Sequence, residues 1–128
     1  MTDIYFYPSI DTLVWPVFGG NWKAKSGGFF PGQLPPGLYK LNRRNITDYT
    51  STIDKGFIDK TTGQGFFIPI IPQFATSRGQ SGGRLGIHPD GDPVGTRGCI
   101  GLAPGDTRSF WEAIRSTPTN ATITLQVF

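Results

Sequence analysis

Breakers punctuate this chain: 18 glycines and 11 prolines are spread along 128 residues, so few stretches can run far as regular helix. That share lies just under the roughly 25–30% at which aperiodic Gly and Pro signal disorder. Here they sit between apolar runs, and the pattern predicts short strands joined by turns. Candidate strands are residues 4–7, 13–18, 38–41, 57–58, 66–71 and 85–88. Pro16 and Pro69 mark the second and fifth of these as edge or bent strands. Residues 19–20, 26–28, 31–32, 35–37 and 79–83 read as loops, the last a mobile loop placed to cover a site beside the strand at 85–88. One stretch reads as helix. Asp106 is its expected N-cap, Phe110, Trp111 and Ile114 give it an apolar face, and Thr117-Pro118 ends it. The C-terminus then alternates, with Ala121, Ile123, Leu125 and Val127 facing one way and Thr122, Thr124 and Gln126 the other, as in a half-buried strand. With 10 Phe, 4 Tyr and 3 Trp to fill a core, the expectation is one mainly β domain over residues 1–128 with a single C-terminal-side α-helix.

Composition narrows the function classes. The net charge is +3, but the basic residues are scattered, with only Arg43 and Arg44 adjacent, and no nucleic-acid-binding module is visible. The N-terminus lacks the basic and apolar regions of a secretory signal, and no apolar run approaches the ~18 residues of a membrane span. The chain is therefore expected to be made in the cytoplasm, without membrane insertion. Asn120-Ala121-Thr122 matches a glycosylation sequon that nothing else supports. A single cysteine and a single histidine leave no disulfide framework and too few ligands for a Cys/His metal site, and no cofactor is implied.

Those two residues, His88 and Cys99, fall within one segment, residues 84–102. On a strand ending at His88, Leu85 and Ile87 face one side while Gly86 and His88 face the other, leaving open space beside the ring. The turn-rich residues 89–95 can return the chain so that Cys99 lies by His88. A free thiol, with a pKa near about 8.5, is mostly protonated at neutral pH, and a neighbouring imidazole makes it a usable nucleophile. Gly98 allows a tight turn that presents backbone N–H groups to a developing oxyanion. The alternative is a strand-end histidine and a small buried hydrophobe.

The run Ile87-His88-Pro89-Asp90-Gly91, followed by Gly95-Thr96-Arg97-Gly98-Cys99-Ile100-Gly101-Leu102, resembles the active-site signature of L,D-transpeptidase (YkuD-type) domains. The segment Gly32-Gln33-Leu34-Pro35-Pro36-Gly37-Leu38-Tyr39 is similar to the proline element of the compact type VI secretion L,D-transpeptidase effectors. The resemblance spans most of residues 3–102 and implies a β-sandwich-like catalytic fold. It implies Cys99 as acylated nucleophile and His88 as base, with the Pro89 carbonyl orienting the ring and the Gly98 and Cys99 amides holding the oxyanion. It also implies action on peptidoglycan tetrapeptide stems at the diaminopimelate to D-alanine bond, with water, a D-amino acid or a second stem as acceptor. The setting it implies is an antibacterial effector acting in the periplasm or cell wall of a target cell, with a secretion-apparatus carrier and an immunity protein as partners.

Two departures shape the expectation. Arg97 stands where larger members carry a second histidine, and the eleven positions from His88 to Cys99 are fewer than in cross-linking members; both favour stem trimming or exchange. Thr96, Arg97 and Arg84 are the candidate substrate-binding residues, since a guanidinium grips a carboxylate through two parallel bonds; solvated surface charge is the other reading of the arginines. Asp90 and Asp92 read as turn formers, and Trp15, Trp22, Phe29 and Phe30 as core or loop anchors. The rival reading of the whole chain is a non-enzymatic cell-wall binding or phage-associated structural module.

Overall fold

A computed structural model describes residues 2–28, 32–48, 57–59, 61, 63, 65–76, 85–90, 98–105 and 107–128. Strands β1 (Ile4–Tyr7), β2 (Thr12–Trp15) and β3 (Gly20–Ser26) form an antiparallel meander, joined by 3-10 turns at Pro8–Ile10 and Pro16–Phe18. Pro16 ends the second strand instead of bending it. Its fixed φ starts the 3-10 turn, and Gly19 closes that turn with a φ of 63°. The remaining strands are β4 (Gly37–Asn42), β5 (Thr47–Asp48), β6 (Phe66–Pro69), β7 (Ile71–Pro72), β8 (Gly86–Pro89), β9 (Ile100–Leu102) and β10 (Thr122–Val127), with helix α1 (Thr107–Arg115) before the last. The mainly β architecture with one C-terminal-side helix agrees with the reading of the sequence. Residues 57–58 do not form a strand: Phe57 is in 3-10 geometry and Ile58 makes an isolated bridge to Gly65.

All ten strands among the described residues join one sheet in the order β5-β6-β8-β9-β3-β2-β1-β10-β4-β7. Its two ends are continuations of inner strands, because β5 follows β4 beyond a 3-10 turn at Arg43–Asn45, and β7 follows β6 beyond Ile70. Since β5 pairs with β6 and β7 with β4, the sheet returns on itself into a nearly closed barrel. Tyr39 lies opposite Pro72 and Thr47 opposite Phe67; the first strand therefore has three residues more than its partner between these pairs, the length of the Arg43–Asn45 turn. Arg43 ties that turn to the helix, its Nε donating to the Ile114 carbonyl at 3.1 Å at the end of α1 where a cation is favoured.

Alternation fills the barrel. Ile4 and Phe6, Leu13 and Trp15, Trp22 and Ala24, Tyr39 and Leu41, Phe66 and Ile68, and Ile100 and Leu102 are buried in one cluster. Helix α1 inserts its apolar face there: Phe110 lies 5.0 Å from Trp22 and 6.0 Å from Trp15 between ring centroids, and Trp111 stacks on Phe66 at 4.7 Å. Trp15 and Trp22 are thus core residues, and the Trp22 Nε1 donates to Ser109 Oγ at 2.7 Å. Ile87 of β8 belongs to the same core, which commits its neighbours Gly86 and His88 to the outer side of the sheet. No described helix is long and apolar enough to cross a membrane.

Candidate active site

Two adjacent parallel strands carry the site. Ile87 pairs with Ile100, His88 with Gly101 and Pro89 with Leu102. Ile100 and Leu102 point into the core, so Gly101 and, one residue before the strand begins, Cys99 fall on the same side as His88. The register thus puts His88 beside Gly101 on the outer face, with Cys99 one residue before β9. Of the residues expected from sequence to meet, His88 and Pro89 lie on β8, and Gly98 and Cys99 immediately precede its parallel neighbour β9.

The backbone beside Cys99 needs a glycine. Gly98 has a φ of 123°, a conformation that a side chain makes costly. Its carbonyl accepts a hydrogen bond from Ser26 Oγ on β3 at 3.3 Å. Cys99 is a thiol outside any disulfide and is 8% exposed.

His88 is held by its own chain. Its Nδ1 lies 2.6 Å from the Pro89 carbonyl oxygen. A carbonyl only accepts, so the proton is on Nδ1 and the lone pair is on Nε2, which is the nitrogen left to take a proton from a nucleophile. Burial pushes the imidazole below its ordinary pKa of 6.5, against the opposing pull of the Pro89 carbonyl and the negative charge of Asp90. The ring is therefore neutral near pH 7, the state a general base requires.

The space beside that ring is filled, contrary to the expectation of an open flank. Phe67, opposite His88 when the β6–β8 pairing is continued by one residue, stacks on it with centroids 6.0 Å apart. Phe57 packs beside Phe67 on the same side, its ring 4.5 Å from the imidazole and 5.0 Å from Phe67 between centroids. A Cβ on Gly86 would meet the Phe67 ring at 2.4 Å, so this glycine makes room for the phenyl ring. The result is a histidine only 3% exposed, in a second apolar layer outside the barrel core.

Two residues after Phe57 stands a buried carboxylate that sequence reasoning does not single out. Asp59 is 0% exposed. Its Oδ1 accepts the Thr61 N–H at 2.8 Å, and its Oδ2 accepts the Gly105 N–H at 2.8 Å and the Thr107 hydroxyl at 2.6 Å. A carboxylate 48 residues upstream thereby serves the first turn of α1, while the expected cap, Asp106, lies outside the described residues. Asp90 is buried after β8, its N–H donating to the Leu102 carbonyl at 2.8 Å, which continues the β8–β9 ladder. Arg84, Asp92, Thr96 and Arg97, the loop at 79–83, and Phe29 and Phe30 also lie outside the described residues. In the proline element, Leu34 is a core residue and the Tyr39 hydroxyl donates to the Pro35 carbonyl at 2.7 Å.

No known family model and no curated protein matches the chain.

Proposed function

We propose that this chain is a cysteine acyl-transfer enzyme of L,D-transpeptidase type, with Cys99 as nucleophile and His88 as base. The observation that carries this reading is the 2.6 Å contact from His88 Nδ1 to the Pro89 carbonyl, on a strand whose outer face is shared with Cys99. That contact presents a neutral Nε2, and the neighbouring strand supplies the only thiol in the chain. The substrate class comes from the sequence resemblance: the diaminopimelate to D-alanine bond of a peptidoglycan tetrapeptide stem.

In this mechanism Nε2 takes the Cys99 proton as Sγ bonds to the diaminopimelate carbonyl carbon. The carbonyl electron pair moves to oxygen, where the Gly98 and Cys99 amides hold the negative charge. Collapse breaks the C–N bond, and the imidazolium gives its proton to the departing D-alanine amine, leaving a thioester. An acceptor, water or an amine, then loses a proton to Nε2, attacks the thioester and releases the Cys99 thiolate, which recovers that proton. Thr96, Arg97 and Arg84 are assigned to the stem carboxylates. The role that fits is an antibacterial effector acting in the periplasm or cell wall, carried by a secretion apparatus and restrained in the producer by an immunity protein.

The burial of His88 and Cys99 favours a second reading, a cell-wall binding or phage-associated module whose thiol only packs. The two separate in mass spectra of tetrapeptide muropeptides incubated with wild type and Cys99→Ala, with and without a free D-amino acid. Loss or exchange of the terminal D-alanine with wild type alone is the expected result. Unchanged muropeptides with folded wild-type protein would end the enzymatic reading and leave the binding module.

A further inference from the structure

Ser26 is the last residue of β3, and it joins three parts of the chain that are distant in sequence. It pairs with Ile100 across the β3–β9 ladder, its Oγ donates to the Gly98 carbonyl at 3.3 Å, and the same oxygen accepts the Leu34 N–H at 2.9 Å. A hydroxyl has one proton to give and lone pairs to receive, so both bonds form together and fix the rotor. The acceptor is a special one. Gly98 is buried with a φ of 123°, a conformation with little intrinsic preference of its own, so an external hold on its carbonyl decides how the next peptide plane lies.

In a trans peptide the C=O and the following N–H point in opposite directions. Holding the Gly98 oxygen towards β3 therefore turns the Cys99 N–H away from β3, to the side of β9 on which β8 and His88 lie. We infer that Ser26 is a positioning residue for the reaction: through the Gly98 carbonyl it aims the Cys99 amide at the oxyanion that forms during acyl transfer. The Leu34 N–H, presented from a segment whose Leu34 side chain is locked in the core, fixes the hydroxyl so that its proton reaches Gly98. The inference rests on the nucleophile reading of Cys99 and adds the means by which the nucleophile's own peptide is oriented.

The test compares two rates on the same proteins. Alkylation of Cys99 by iodoacetamide displaces iodide and forms no oxyanion, so it reads the thiol and His88 alone, whereas release of D-alanine from tetrapeptide muropeptides also needs the aimed amide. Wild type, Ser26→Ala and the isosteric pair Ser26→Thr and Ser26→Val are compared, the last two differing only in hydroxyl against methyl. The expected result is that Ser26→Ala and Ser26→Val keep alkylation within about twofold while kcat falls by about tenfold or more at unchanged KM, with Ser26→Thr near wild type. Equal kcat in all four proteins, or alkylation and kcat falling in parallel, would overturn the positioning role while leaving Cys99 as nucleophile. A wild-type thiol that neither alkylates faster than a simple thiol nor releases D-alanine would overturn both.

Discussion

A buried histidine with a depressed pKa makes stability depend on pH in a definite sense. His88 is the single histidine of the chain, and burial lowers its pKa from 6.5 more than the Pro89 carbonyl and Asp90 raise it. Between the folded value and 6.5 the unfolded chain binds more protons than the folded one, so the contribution of His88 to stability is complete above about pH 6.5 and declines as pH falls through that window. Urea denaturation of wild type and His88→Gln from about pH 7.5 down to 5 is expected to give curves that converge towards acid, wild type losing stability that the variant does not. Curves that stay parallel would mean that the folded protein does not favour the neutral ring. Parts of this site are legible in the sequence because they depend on local chemistry: a glycine where φ must be positive, and a histidine followed by a carbonyl in reach of its own ring. Ser26 and Asp59 are not: the Gly98 carbonyl that Ser26 holds lies 72 residues away and the Gly105 and Thr107 donors to Asp59 lie 46 and 48 away, and the local bonds to Leu34 and Thr61 give no sign of these distant ones.

At the level of elements, Asp59 ties the segment that covers His88 to the start of α1, beside the bridge from Ile58 to Gly65. Asp59 receives the Thr61 N–H, the Gly105 N–H and the Thr107 hydroxyl, so replacing it with alanine leaves the buried Thr107 hydroxyl, and the part-buried Gly105 N–H just before α1, without this acceptor. The expected cost is about 2–3 kcal/mol in urea denaturation, and release of Phe57 from the imidazole should speed Cys99 alkylation by more than Asp59→Asn does, because the amide oxygen can still receive one of these bonds. A loss below about 0.5 kcal/mol, or no difference between the two variants, would show that the segment is held by something else. The helix itself is readable from sequence, since Phe110, Trp111 and Ile114 follow its period. Strand β3 is harder to read. Only Trp22 and Ala24 mark its inner face, glycines flank it, and Lys23 and Lys25 occupy the outer positions, so the alternation is too brief and too weakly apolar to stand apart from the adjoining loops. Strand β9 has three residues, two of them apolar, and owes its strand geometry to β3 and β8 on either side.

The closure of the sheet links the site to the whole molecule. Both site strands lie within it, β8 between β6 and β9 and β9 between β8 and β3. Their inner residues Ile87, Ile100 and Leu102 share one core with Leu125 of β10. Strand β10 lies elsewhere in the sheet, between β1 and β4, and Leu125 is 0% exposed. A nearly closed barrel packed around one core couples its strands, so loss of packing at β10 should be felt at Cys99. Leu125→Ala is expected to cost about 2–5 kcal/mol. In both wild type and variant, tryptophan fluorescence, which reports Trp15, Trp22 and Trp111 in the core, should follow the same urea transition as the exposure of Cys99 to a thiol reagent under rapid labelling. Cys99 becoming fully reactive at a lower urea concentration than the fluorescence midpoint would instead divide the molecule into a stable meander and a separately opening site. In that case the outer aromatic layer of Phe57 and Phe67, and not the barrel, would be what keeps His88 and Cys99 together.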